Sequence, residues 1–312
     1  MSDSATSMRR KIASAGELRS VVRTMKTLAA SNIGQYEGAV RALTGYARAV
    51  DLGLGACLRE ARPAPAAAAR PAPAAGRKAP PPVGAVVFGS DQGLVGAFND
   101  LIADHAAHAL REAPARPRVW AVGERVFARL ADAGLAPCGP LEAPNGVAGI
   151  TPLVGRIQLE AEAWRGGDDD AALYLFHNRP APGAVCEPAG RRVLPLDEAW
   201  MRRMAAVRWP TRNPPEVIRS GTLTLRMFLR EHLFVALFRA CAESLASENA
   251  SRLAAMERAE KNIDDLLAEM RAAYNRLRQN GIDAELFDLV AGFEALAARP
   301  RARANLVESA PD

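Results

Sequence analysis

Residues 90 to 99, SDQGLVGAFN, are of the types that build a phosphate-binding turn. They follow an apolar, β-branched run ending at Phe88 and precede a stretch of helical pattern. Strand, Gly-rich turn and helix is the order in which α/β proteins commonly hold phosphates. The spacing argues against that chemistry. Gly89, Gly93 and Gly96 are spaced G-x-x-x-G-x-x-G, whereas a dinucleotide fold needs G-x-G-x-x-G. A P-loop places Lys and then Ser or Thr after its last glycine, but Gly96 is followed by Ala97 and Phe98. Asp91 also brings a negative charge towards any phosphate. A tight turn that uses glycine backbone freedom and binds no nucleotide is the expectation.

Other candidate chemistry is sparse. His105 and His108 are spaced to share a helix face as metal ligands, with Asp104 adjacent; a pair of surface histidines is the preferred reading. Cys57, Cys138, Cys186 and Cys241 lie far apart with no C-x-x-C pair, which argues against a zinc ribbon or a disulfide framework and suits a reducing compartment. No Ser/His/Asp set stands out. The net charge of +5 is modest, and a nucleic-acid footprint calls for a denser basic stripe interleaved with aromatics, which here are only 5%. No run of 18 apolar residues is present to span a membrane. The Arg- and Ser-rich N-terminus imitates a transit peptide, but its apolar positions continue in register into the chain, so it reads as part of the fold.

The elements that carry these residues follow from periodicity. From Leu18 the apolar or small positions fall at Val22, Met25, Ala29, Ile33, Tyr36, Val40, Leu43, Ala47, Val50 and Leu54, in steps of three and four. That is a heptad-like seam on a helix of about 50 residues, about 75 Å long. Residues 61–82 are a Pro/Ala linker expected to be extended. Strands are expected at 84–89, 118–123, 172–177 and 191–196, with helices near 95–113, 123–133 and 150–165. Such alternation predicts a mostly parallel sheet with helices packed on it. A last helix is expected from after Pro215 to about Ala298, stopped by Pro300. Ile263, Leu267, Met270, Tyr274 and Leu277 form one seam on it, and Leu286, Leu289, Phe293 and Leu296 another. The predicted fold class is α/β: a long antiparallel coiled coil of N- and C-terminal helices with an inserted Rossmann-like α/β domain. The predicted boundaries are 1–60 for the first helix, 61–82 for the linker, 83–209 for the α/β domain, 210–298 for the last helix and 299–312 for a tail. A two-stranded rod has little self-contact, so its outer faces are expected to serve a partner.

Three blocks resemble the γ subunit, or central stalk, of F-type ATP synthases. RRKIASAGELRSVVRTMKTLAASNI is similar to that family's opening R-x-K-I-x-S and M-x-x-V/L-A-A-S, and SDQGLVGAFN to its S/T-D-R/K-G-L-C-G-x-x-N. SLASENASRLAAMERAEKN and AYNRLRQNGIDAELFDLVAG resemble its C-terminal helix signature. There are departures. Gln92 stands for a basic residue and Val95 for a cysteine. Ile282-Asp283-Ala284-Glu285 replaces Ile-Thr-x-Glu, and Phe293 follows Gly292 in place of a small residue. They point to a divergent or alternate version of the family.

The resemblance implies a non-catalytic rotor shaft without cofactor, metal or bound nucleotide. Its implied partners are the α and β subunits of the catalytic hexamer, the ε subunit and the membrane ring of c subunits, and no nucleic acid. Its implied place is the cytoplasmic face of a bacterial inner membrane, in an enzyme that moves protons or sodium ions. Matched position by position, the hexamer-contacting residues are Met25, Lys26, Arg252, Gln279 and Glu285. Arg252 is expected on an exposed face, where alanine would leave the fold intact; its other reading is an i,i+4 partner of Glu248. The alternative function is a coiled-coil scaffold with a non-catalytic α/β domain.

Overall fold

The computed structural model describes residues 5–60, 80–213, 215–216 and 221–304, with side chains described to residue 294. Most of the Pro/Ala linker (61–79) and the end of the tail (305–312) lie outside the described residues. The chain divides into two compact units, Met1–Thr24 with Glu257–Asp312, and Met25–Met256. That division falls within both long helices, not at the ends of the α/β segment.

The second unit holds a five-stranded sheet. Its strands are β1 (Val83–Phe88), β2 (Arg118–Val122), β3 (Pro137–Leu141), β4 (Ala172–Ala181) and β5 (Ala184–Leu194), in the order β3-β2-β1-β4-β5. The first four are parallel, and β5 returns antiparallel to β4 through a hairpin. β1 lies at the centre and is buried at all six positions, as a strand covered on both faces must be.

The two faces have separate cores. Val83, Ala85 and Val87 pack with α2 (Phe98–Leu110) and α3 (Glu124–Asp132), through Ile102, Ala106, Val126 and Leu130. Val86, Phe88, Trp120 and Leu175 pack on the other face with α4 (Ile150–Arg165). That second core continues into the last helix, through Leu233, Leu237, Cys241 and Leu245. Fully burying such aliphatic side chains stabilises by roughly 1.5–3 kcal/mol each. The terminal helix is therefore part of the α/β core, packed on the sheet as a layer.

The N-terminal helix α1 spans Ala5–Glu60; of its expected seam Val22, Ala29, Tyr36, Leu43, Ala47, Val50 and Leu54 are buried, and Met25, Ile33 and Val40 are half-buried. Leu18, the first expected position of the seam, is 55% exposed. A short helix, α5 (Glu198–Ala206), precedes the C-terminal helix α6, which spans Gly221–Ala304. Pro300 does not end α6, which runs four residues past it. Within the first unit the helices pair antiparallel, through Arg9 to Tyr274, Arg19 to Asp264 and Arg23 to Glu260. Ile263 and Leu267 are buried there. Beyond them the expected second seam is not one: Leu286, Leu289 and Phe293 are 59%, 64% and 75% exposed, and Ile282, Phe287 and Val290 are exposed with them. Within the second unit the helices also run antiparallel, with Asn32 on Asn249 and Tyr46 on Glu231.

The sequence reading missed β3, the first half of β5 and α5. The strands expected at 84–89, 118–123 and 172–177 are present, and that at 191–196 is the end of β5. β3 is PCGPL, with two prolines and a glycine where a strand pattern calls for β-branched residues. It survives as an edge, the place where proline is tolerated.

Candidate functional site

In a sheet ordered 3-2-1-4, ligands bind where the order reverses, at the carboxyl ends of β1 and β4. The Gly-rich loop lies there, between β1 and α2, and protein groups fill it. The Asp91 carboxylate accepts the amide of Glu124 at 2.9 Å and that of Ala143 at 2.9 Å. Glu124 opens α3, so Asp91 takes up a free amide at that helix terminus and ties the loop after β1 to the loop after β2. Ser90 donates its amide to Asn99 Oδ1 at 3.0 Å, and Asn99 Nδ2 donates back to Ser90 Oγ at 2.9 Å. Across the crevice Asn178, fully buried, donates to the Phe98 carbonyl at 2.8 Å. Gly123, at φ 111°, lets the loop after β2 close on the loop after β1: a Cβ there would lie 2.7 Å from the Ser90 backbone.

What remains open is a polar cavity of about 200 Å³ between this loop and the paired helices. Tyr36, Asp91, Gln92, Asn145, Glu248 and Arg252 line it. Arg252 Nη2 donates to Glu248 at 2.8 Å, with the two side chains 13% and 10% exposed. Burial pushes the Glu248 carboxyl above its usual range; Arg252 opposes the shift and the Asp91 charge adds to it. The Tyr36 phenol is pushed up by burial and by the Glu248 charge. One step along α6, Glu243 meets His177 Nε2 at 2.9 Å. Arg191 is held below its ordinary value by burial and by neighbouring Arg239.

Met25 and Lys26 lie on α1 in the second unit, both half-buried. Gln279 and Glu285 lie on α6 in the first unit, both exposed. The exposed face expected for Arg252 is not observed. Its guanidinium is drawn into the cavity by Glu248, because the loop after β1 covers that turn of α6. His105 packs edge-on against Phe176, with ring centroids 6.0 Å apart. All four cysteines are free, and burial raises the Cys241 thiol. No described helix is long and apolar enough to cross a membrane.

The fold is a helix-flanked α/β sheet whose Gly-rich loop is held by the chain's own side chains. Residues 4–296 match the family described as ATP synthase, and the chain belongs to that family. Its curated relatives there are gamma chains. That of Dechloromonas aromatica is 24% identical over 295 residues, covering 93% of this chain and 98% of the relative. That of Polynucleobacter asymbioticus is 26% identical over 302 residues, with 93% and 98% covered. Among solved structures, a chain of the Euglena gracilis mitochondrial ATP synthase (OSCP/F1/c-ring, rotational state 3) matches with TM-score 0.61 and 17% identity. That match covers 95% of each chain and shows the shared fold.

Proposed function

We propose that this chain is the rotor shaft of an F-type ATP synthase, a gamma-type subunit that couples ion flow through a membrane ring to ATP synthesis or hydrolysis in an αβ hexamer. The observation that carries the reading is the family match from residue 4 to 296, on a chain whose terminal helices pair antiparallel. The exposed apolar side chains of α6 from Ile282 to Phe293 support it, since a partner that encloses them removes them from water.

The chain performs no bond-making step of its own. Each angular position of an asymmetric shaft favours one conformation of the surrounding catalytic subunits. Turning it therefore shifts their populations by the difference in interaction energy between conformations. Met25, Lys26, Gln279 and Glu285 are the positions that meet the hexamer. Arg252 acts there only if its pair with Glu248 opens. The ε subunit and the ring of c subunits hold the other end, and the complex sits at the cytoplasmic face of a bacterial inner membrane.

The test is ATP-driven rotation. With the hexamer immobilised and a bead attached to this chain, ATP should turn the bead in one direction. A stationary bead on a hexamer that hydrolyses ATP would refute the reading and favour a static scaffold. Alanine at Gln279 or Glu285 should lower ions pumped per ATP without loss of assembly.

A further inference from the structure

Two guanidinium groups meet on the α6 side of the sheet with too little negative charge between them. β4 and β5 pair antiparallel, with Leu175 opposite Arg191 and His177 opposite Ala189. Directly opposed residues share a face of a sheet, and so do residues two apart along a strand. Leu175, His177, Arg191 and Val193 therefore project to one side. That side is the one α6 covers, since Leu175 and Val193 belong to the core that holds Leu237 and Cys241. Earlier on β5, Cys186 Sγ meets Ser251 Oγ of α6 at 3.7 Å. β5 thus lies along α6, and Arg191 stands between those two contacts.

Arg239 and Glu243 are one turn apart on α6. Glu243 Oε2 meets His177 Nε2 at 2.9 Å, and the two side chains are 24% and 7% exposed. Arg191 feels both residues of α6. Burial and then the Arg239 charge hold its guanidinium below the ordinary value, and Glu243 opposes them. Neither arginine has a hydrogen bond or ion pair with another described residue. Arg239 Nε is closed to water and has no acceptor, a costly state for a donor. With His177 neutral, the cluster holds two positive charges against one negative. It is short of one anion and of acceptors for both guanidinium forks.

A guanidinium fork suits a carboxylate, a sulfate or a phosphate. Glu243 separates them. Carboxylate and sulfate ions carry acceptors only near neutral pH, so the Glu243 carboxylate repels them. A hydrogen phosphate ion keeps a P–O–H, which donates to Glu243 Oε1 while its other oxygens accept from the arginines. We infer that Arg191, Arg239 and Glu243 form a binding site for inorganic phosphate between β5 and α6, with His177 positioning the Glu243 carboxylate. The site is separate from the Gly-rich loop. It stands without the rotor reading, which adds only a hexamer that consumes or releases phosphate.

The experiment is equilibrium dialysis of the full chain against radiolabelled inorganic phosphate, at neutral pH and constant ionic strength, with sulfate as competitor. One phosphate should bind per chain in the millimolar range, and an equal concentration of sulfate should displace it poorly. Arg239→Gln and Arg191→Gln should each weaken binding about tenfold or more, the loss of one charge-assisted contact. Glu243→Gln should bring phosphate and sulfate to about equal affinity, because the acceptor-only carboxylate is gone. Arg111→Gln, beyond the end of α2, is the control and should bind as wild type does. Thermal unfolding and far-ultraviolet dichroism check that each variant is folded; Arg191, exposed on β5, keeps the test open if Arg239→Gln unfolds. No stoichiometric binding at millimolar phosphate, equal displacement by sulfate in the wild type, or undiminished binding in the arginine variants would overturn the proposal. A chain that rotates yet binds no phosphate refutes this proposal alone, and one that binds phosphate yet fails to rotate refutes the rotor reading alone.

Discussion

Glu248 and Arg252 form an ion pair one helical turn apart, 2.8 Å long and nearly closed to solvent. Either side chain alone is a charge left at the polar cavity without its partner. Arg252→Ala and Glu248→Ala are each expected to destabilise the chain by about 1–3 kcal/mol, below the figure for a fully buried pair because some water reaches it. The double variant should cost much less than the two together. A double-mutant cycle by urea unfolding checks this, and simple additivity would mean the pair is not coupled.

The same pair sets a pH dependence. Burial raises the Glu248 pKa in the folded chain, so the folded state holds that proton more readily than the unfolded one. The associated stability is fully present below the unfolded-state value and is lost as pH rises through the raised folded value. Arg252, Asp91 and Tyr36 are the charged or titratable groups lining the cavity with it. Glu248→Gln should gain stability relative to wild type as pH increases from the acid side towards neutrality. A constant difference across that range would show that Glu248 titrates normally.

Nucleotide binding is expected to be absent from the isolated chain. Asp91 already accepts the Glu124 amide at the α3 terminus and the Ala143 amide after β3, and Asn178 donates to the Phe98 carbonyl across the crevice between β1 and β4. Calorimetry with ATP and ADP should show no stoichiometric micromolar site. Asp91→Ala should cost about 1–3 kcal/mol by leaving two amides without an acceptor, and Asp91→Asn less, since one oxygen remains.

Glycines in the N-terminal helix should respond in opposite senses. Gly34 has nothing within 4 Å of a built Cβ, so Gly34→Ala should stabilise by roughly 0.5–1 kcal/mol through helix propensity. Gly55→Ala meets the Met204 carbonyl, a backbone atom that moves only if α5 shifts. Overpacking of roughly 1–3 kcal/mol should outweigh the same propensity gain there. Thermal unfolding of the two variants gives the signs directly.

Leu94 holds φ 64° with its side chain 62% exposed, an unfavourable backbone for a bulky residue. Leu94→Gly should stabilise by about 1 kcal/mol, because relief of that strain outweighs the little apolar burial this exposed side chain provides. A fall in stability would mean the side chain packs in solution.

What could be read in the residues depended on how local its cause was. The α1 seam shows in the sequence because steps of three and four are a local rule, and Val22 to Leu54 obey it. The strands at Val83, Arg118 and Ala172 are apolar β-branched and aromatic runs of the right length. β3 was hidden, since edge position and not composition makes PCGPL a strand. α5 was hidden as well, because nine residues between prolines give little periodicity. The burial of Arg252 was beyond reach for a different reason. It depends on Asp91 and Asn145 arriving from loops more than a hundred residues earlier, and no spacing within α6 encodes that. The missing phosphate-loop lysine was readable; that Asp91 holds the Glu124 and Ala143 amides was not, since both come from later loops.

The end of α6 bears on how such a subunit is made. From Ile282 to Phe293 six large apolar side chains face water along some three helical turns, interspersed with Asp283, Glu285 and Asp288. A freshly synthesised chain carries this sticky tip from the moment it leaves the ribosome. Its solubility is then governed by how soon a partner or chaperone covers that tip, and surplus copies become substrates for aggregation and proteolysis. Stoichiometry with its partners would in this way be enforced by the chain's own surface, with no separate sensor.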